Sequence, residues 1–156
     1  MLNIDLSNRI VVVTGASGDL GRVMVRTLAK CGADVAVHYL KNQAKADELV
    51  AEITEMGVRG VAGQADITQL DSVMAMRDQI REALGDPNII VNNAVIQYNW
   101  VSILEQDEAD YEGQFRSCVL HNVFMTKAFV PAMIEKNHGR VIGISTECVM
   151  QNFPNQ

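Results

Sequence analysis

An α/β domain with a doubly wound parallel sheet is what this sequence predicts, and three observations predict it. Short apolar, β-branched runs alternate along the chain with longer segments of helical periodicity. The first run, Ile10 to Val13, passes directly into a glycine-rich turn and then into a helical pattern. Polar or glycine-rich stretches follow the first, fourth and fifth strands. Right-handed crossovers bring such stretches to one edge of the sheet, where ligands of these sheets bind. At 156 residues, the whole chain, 1–156, is expected to form a single domain with a substantial core.

The first strand has the composition of one buried on both faces. The turn that follows is Gly15-Ala16-Ser17-Gly18-Asp19-Leu20-Gly21, and residues 22–30 resume with apolar positions at helical spacing. Gly32 breaks that pattern, and residues 33–40 read as the second strand. Ala46, Leu49, Val50 and Ile53 then mark a helix over 42–56, with Gly57 as its stop signal. A shorter, glycine-interrupted third strand over 58–65 closes on Asp66. Thr68 is placed to cap a third helix, 69–84, whose apolar face is Met76, Ile80 and Leu84. Gly85-Asp86-Pro87 turns the chain into a fourth strand from Asn88, ending in Asn92-Asn93-Ala94. A long helical stretch begins at Asp107 or Glu108 and runs to about 136, with Pro131 at a kink or where one is tolerated. Asn137-His138-Gly139 leads into the fifth strand, 140–144.

Composition removes several classes of function. The apolar content of 48% with 21% charged residues is that of a soluble globular protein. Net charge is −6 without a basic run, which argues against a nucleic-acid surface. The chain reads as having no apolar run of membrane-spanning length, and its first nine residues lack the basic start and apolar core of a signal peptide. Cys31, Cys118 and Cys148 are too few and too scattered for a disulfide framework or a zinc site, so a reduced, cytoplasmic protein is expected. His121 and His138 lack partners for a metal site or a nucleophile dyad.

Anion binding is the physical reading of the glycine turn. Residues without side chains let the backbone approach a pyrophosphate closely and adopt dihedrals that others resist. The following helix aims its unpaired N–H groups and positive dipole end at the same place. A tight turn that merely packs helix on strand is the alternative.

With the glycine turn, NNA after the fourth strand and GRVIGIST at the fifth, the chain resembles the short-chain dehydrogenase/reductase family from Arg9 to Thr146. The resemblance implies a Rossmann-type fold and an oxidoreductase that moves a hydride between NAD(P) and a small carbonyl or alcohol. It implies cofactor contacts at Gly15, Ser17, Gly18, Asp19, Leu20 and Gly21. Asp66 and Ile67 match the segment whose carboxylate accepts the adenine amino group. Asn92, Asn93 and Ala94 match the family's NNAG, where the first Asn braces the sheet and the backbone lies against the adenosine ribose. Thr146, with Ser145 just before it, falls at the hydroxyl that positions the substrate oxygen; hydroxyls closing a strand end are the alternative. Family members usually assemble as dimers or tetramers, so a homo-oligomer is expected.

Four departures qualify the match. Asp19 replaces a Gly usual in compact members, and is expected to face solvent or cap the helix. The resulting TGxxGxxG spacing also fits the extended, epimerase- or dehydratase-like branch. Val95 replaces the Gly of NNAG. Cys118 falls where the family carries a catalytic Asn, with Asn122 one turn later as a possible substitute that the residue count does not favour. Finally, the Tyr-x-x-x-Lys of the family would begin about three residues past Gln156. This makes the 156 residues, by expectation, the N-terminal and nucleotide-binding part of a longer enzyme, lacking the C-terminal strands and by itself inactive. A dinucleotide-binding sensor or partner subunit is the competing reading.

Cofactor choice turns on the end of the second strand, at Tyr39, Leu40 and Lys41. No carboxylate stands there to repel a 2′-phosphate, and Lys41 can meet one, so NADP is favoured over NAD. Tyr98-Asn99-Trp100 follows the fourth strand on the substrate side, as a stacking surface or as loop packing.

Overall fold

The computed structural model describes residues 4–146. They form a five-stranded, all-parallel sheet in the order β3-β2-β1-β4-β5. The strands are β1 (Ile10–Val13), β2 (Asp34–Tyr39), β3 (Gly60–Gln64), β4 (Ile89–Asn92) and β5 (Arg140–Gly143). The connecting helices are α1 (Asp19–Lys30), α2 (Gln43–Glu55), α3 (Leu70–Ala83), α4 (Glu108–Gln114) and α5 (His121–Glu135). Strand order reverses at β1, which pairs with β2 on one side and β4 on the other. In open α/β sheets this reversal opens a crevice beyond the carboxyl ends of the strands.

Side chains alternate across the sheet and so build two cores. On one face Val11, Val13, Val35, Val37 and Val91 pack with Val25 and Ala29 of α1 and with Leu49 and Ile53 of α2. On the other, Val12, Ala36 and Ile90 pack with Val73, Met76 and Ile80 of α3 and with Met125, Phe129 and Met133 of α5. Alternation places Thr14, His38 and Asn92 on this second face, each two residues beyond a core residue and at the carboxyl edge. All three are buried.

Two local expectations are corrected. Thr68 does not cap α3: the cap position is Gln69, with no side-chain bond, and the Thr68 hydroxyl instead donates to Asp66 Oδ1 at 2.7 Å. The long helical stretch is also not uniformly α-helical. A π-helical turn, Phe115–Leu120, joins α4 to α5, while α5 continues through Pro131.

The stretch Glu108–Glu135 is moreover long and apolar enough to cross a membrane by length and composition, against the sequence reading. Its inner face, with Ser117, His121, Met125, Ala128, Phe129 and Met133, is buried, but the buried share of the apolar window is only 33%. Its outer face leaves Tyr111, Phe115, Val119 and Val123 exposed at four-residue spacing.

Candidate functional site

The carboxyl ends of β1, β2, β3 and β4 converge on the glycine turn. Gly15 takes a left-handed φ of +63°, and a Cβ there would meet Ala94 Cα at 3.0 Å and Asn93 Nδ2 at 3.2 Å. Only glycine accepts both constraints without strain. Gly21 is more restricted still: a Cβ would stand 2.2 Å from Gly15 O and 2.8 Å from Ala16 Cα. Helix α1 therefore rests directly on the turn.

Gly18 caps α1 in an extended conformation without a side-chain bond. Its amide donates to Gly15 O at 3.1 Å, and its carbonyl accepts from Arg22 N at 3.0 Å. The amides of Asp19, Leu20 and Gly21 form the first helical turn, which has no intrahelical acceptors. None of the described hydrogen bonds uses them. Gly18, Asp19 and Leu20 are exposed, and Ser17 is half-buried. As expected, the Asp19 side chain faces solvent: it is 95% exposed and pairs with Arg22 at 2.7 Å.

Thr14 and Asn93 lock the turn to the loop after β4. The Thr14 hydroxyl accepts from the amides of Asn93 at 2.9 Å and Ala94 at 3.1 Å, and donates to Val91 O at 3.3 Å. Asn93 Nδ2 returns a bond to Thr14 O at 2.9 Å. Asn92 works in the other direction and ties β4 to α5. Its Nδ2 donates to Asn122 Oδ1 at 2.7 Å, and Asn122 Nδ2 donates to Cys118 O at 2.7 Å. Asn122, rather than the exposed Cys118 side chain, thus reaches the end of β4. Asn92 Oδ1 is buried without a hydrogen-bond partner among the described residues.

Asp66 sits half-buried after β3. Its Oδ1 accepts from the Thr68 amide at 2.9 Å and from the Thr68 hydroxyl, and its own amide donates to Ser72 Oγ at 2.9 Å. The carboxylate is thus held at the crevice by one oxygen. Ile67 beside it is buried. At the end of β2, Tyr39 is buried in the first core, whereas Leu40 and Lys41 are exposed. The surface feature expected there therefore belongs to Leu40 and Lys41 rather than to the Tyr39 ring.

Beyond β5, Ile144 N donates to Asn92 O at 2.9 Å, which carries Ser145 and Thr146 to the same edge, both exposed. Separately, Tyr98, Val101, Ile103, Gln106, Asp110, Tyr111 and Gln114 line a mainly apolar cavity of about 170 Å³ between the β4–α4 loop and α4. Trp100 lies outside this lining and is largely exposed.

Two buried histidines were not among the predicted site residues. His38 Nδ1 accepts from the Gly15 amide at 2.8 Å, and its Nε2 lies 3.0 Å from Ala65 O. Accepting at Nδ1 leaves the proton on Nε2, which donates to that carbonyl. His121 Nδ1 lies 3.1 Å from Ser117 O, and its Nε2 has no partner among the described residues. Burial lowers the pKa of both, and that of His121 falls from 6.5 to about 4. A polar residue inside the hydrophobic run of β2 was the available signal for His38. No group of three metal-ligating side chains occurs among the described residues.

The comparisons with known proteins agree with this fold. A solved structure, gluconate 5-dehydrogenase from Burkholderia cenocepacia in complex with NADP and tartrate, shares the fold. Its TM-score is 0.88 at 24% identity, over 98% of this chain and 59% of that one. Human 17-beta-hydroxysteroid dehydrogenase 13 is 28% identical over 149 residues, covering 96% of this chain and 49% of the relative. An uncharacterized oxidoreductase of Methylorubrum extorquens is 33% identical over 141 residues, covering 90% and 56%. The chain thus spans about half the length of the relatives it matches. The family model described as short chain dehydrogenase matches residues 9–156, and with a parallel sheet reversing at a glycine turn, the chain belongs to that family.

Proposed function

We propose that this chain supplies the nucleotide-binding half of an NAD(P)-dependent oxidoreductase acting on a small carbonyl or alcohol, with NADP preferred. The observation that carries the reading is the glycine turn: Gly15 and Gly21 leave no room for side chains, and the first amides of α1 are unused. Gly15, Ser17, Gly18, Leu20 and Gly21 then cradle the diphosphate, at the positive end of α1. The Asp19 carboxylate, turned away to Arg22, does not oppose the phosphates. Lys41 beside Leu40 takes the 2′-phosphate, Asp66 and Ile67 hold the adenine, and Asn92, Asn93 and Ala94 flank the ribose. The NADP in the Burkholderia structure supports the choice of cofactor by analogy.

When bound, the nicotinamide ring supplies or accepts the hydride. The chain's own contribution at the reacting end is a hydroxyl, from Thr146 or Ser145, that donates to the substrate oxygen. No Tyr-x-x-x-Lys occurs in the 156 residues, so the proton donor of the family reaction is assigned to the whole natural protein. A cytoplasmic setting and a homo-oligomer built on the exposed Tyr111-Phe115-Val119-Val123 face complete the proposal.

Calorimetric titration of the natural protein with NADPH and NADH near pH 8 tests the reading. Binding of either, with Lys41→Glu lowering NADPH affinity about tenfold and sparing NADH, is the expected outcome; a lost ion pair to a phosphate accounts for that factor. No association of either nucleotide at millimolar concentration overturns it.

A further inference from the structure

His38 holds the glycine turn by both its side chain and its backbone. Its Nδ1 accepts the Gly15 amide at 2.8 Å, and its carbonyl accepts the next amide, Ala16, at 3.0 Å. The Gly15 peptide so fixed aims its own carbonyl at the Gly18 amide, 3.1 Å away, and Gly18 is the cap of α1. On the far side of the ring, Nε2 bonds Ala65 O, immediately before Asp66. One imidazole, 2% exposed, therefore spans the phosphate end and the adenine end of the proposed cradle.

This arrangement works for one protonation state only. A charged imidazole carries N–H at both nitrogens. It would confront the Gly15 amide with a second donor and leave that amide unsatisfied inside the protein, a costly state. The ionisable groups around the ring are few. Asp66, on the loop after β3, favours the charged form, and His121, on α5, is its charged-state competitor. Tyr39, the neighbour on β2, points into the opposite core. In the turn and the head of α1, the first titratable group is Asp19, which is in solvent and paired with Arg22.

We propose that neutral His38 is the positioning residue of the dinucleotide site, and that its protonation frees the Gly15 peptide and weakens dinucleotide binding in acid. The proposal rests on the nucleotide reading of the turn, and the test separates the two. NADP⁺ is titrated calorimetrically into the wild type, His38→Asn and His38→Leu from pH 8 down to the lowest pH at which circular dichroism shows all three folded. Asn keeps an acceptor at the Nδ1 position and does not titrate. Leu fills the space without an acceptor.

At pH 8, His38→Asn is expected to bind within a few-fold of wild type, and His38→Leu about tenfold more weakly, the size of one lost buried hydrogen bond. As the pH falls below the depressed pKa of His38, the wild-type Kd is expected to rise relative to that of His38→Asn, toward the roughly tenfold loss of His38→Leu, a ratio in which the cofactor's own phosphate titration cancels. Histidine ¹⁵N spectra of the wild type at pH 7.5 are expected to show His38 as the neutral Nε2–H tautomer. A wild-type to Asn ratio independent of pH, or a His38 that is charged or Nδ1-protonated at pH 7.5, overturns the proposal while leaving the nucleotide site standing. No NADP⁺ or NAD⁺ binding to the wild type at pH 8 overturns both. Should His38→Leu fail to fold, His38→Asn and the spectra decide alone.

Discussion

Replacing Gly21 by Ala adds one methyl group at the tightest contact in the fold. The new carbon would lie 2.2 Å from Gly15 O, 2.8 Å from Ala16 Cα and 2.9 Å from Gly15 C. All three are backbone atoms, so no rotamer change relieves the clash. Turn and helix must separate by about 1 Å to restore an ordinary van der Waals distance. Overpacking of this kind costs about 1–3 kcal/mol, and the upper half of that range applies because Gly15 O also accepts the Gly18 amide. A loss of about 2–3 kcal/mol in urea unfolding is expected, together with at least about tenfold weaker nucleotide binding as the turn amides shift. The same chemical change at Gly113, in α4, meets nothing within 4 Å. There it should stabilise by about 0.5–1 kcal/mol, because alanine loses less entropy than glycine in a helix. Parallel urea melts followed by circular dichroism read both variants. Equal shifts, or a Gly21→Ala midpoint at the wild-type value, would refute the argument that α1 sits on the turn backbone.

Three further outcomes are expected. Thr14→Val removes an acceptor of two amides and a donor to Val91 O, and should cost about 2–3 kcal/mol despite its equal size; an unfolding midpoint unchanged from wild type would contradict it. The depressed pKa of His121 makes stability fall as pH drops from about 6.5 toward about 4, because the unfolded chain takes up the proton first. That linkage amounts to about 2 kcal/mol by pH 5, and His121→Leu should show less acid loss than wild type when urea midpoints are compared at pH 7.5 and pH 5. Asn42 caps α2 through a 3.1 Å bond from Lys45 N, so Asn42→Ala is expected to cost about 1 kcal/mol, read as a lowered thermal midpoint.

Much of the fold was legible because it rests on local chemistry. The apolar runs of β1, β2 and β4 announce buried parallel strands, and Gly57, at a φ of +92°, ends α2 where the sequence places its stop. β3 is shorter than expected, Gly60–Gln64 rather than 58–65, because ladder pairing with β2 begins at Gly60 and ends at Gln64. The glycine turn was visible as a motif, but its fastening was not. That Asn93 and not Asn92 fastens it follows from the chain leaving the ladder after Asn92, so that the next residue folds back onto Thr14. The bond from Gly15 to His38 spans 23 residues and exists only in the β1–β2 register. Thr68 misled for a related reason. A hydroxyl before a helix is a capping signal, yet the Thr68 hydroxyl is engaged by the Asp66 carboxylate two residues earlier, which accepts its hydrogen bond. Asn122 entered the sequence reading only as a substitute that the residue count does not favour, because its bond to Asn92 exists only once α5 is packed against β4.

The π-helical turn between α4 and α5 has its own consequence. Each residue advances an α-helix by about 100°, and a π turn takes in one residue beyond the regular count. Everything ahead of it, Glu108–Gln114 and the loop that lines the Tyr98 cavity, is therefore out of phase with α5, whose inner face is fastened to the sheet. Excising a single residue from Phe115–Leu120 would swing that whole segment around the helix axis while β4, α5 and the Asn92–Asn122 bridge stayed in place. The aim of the cavity is set by a residue count, which one codon can change.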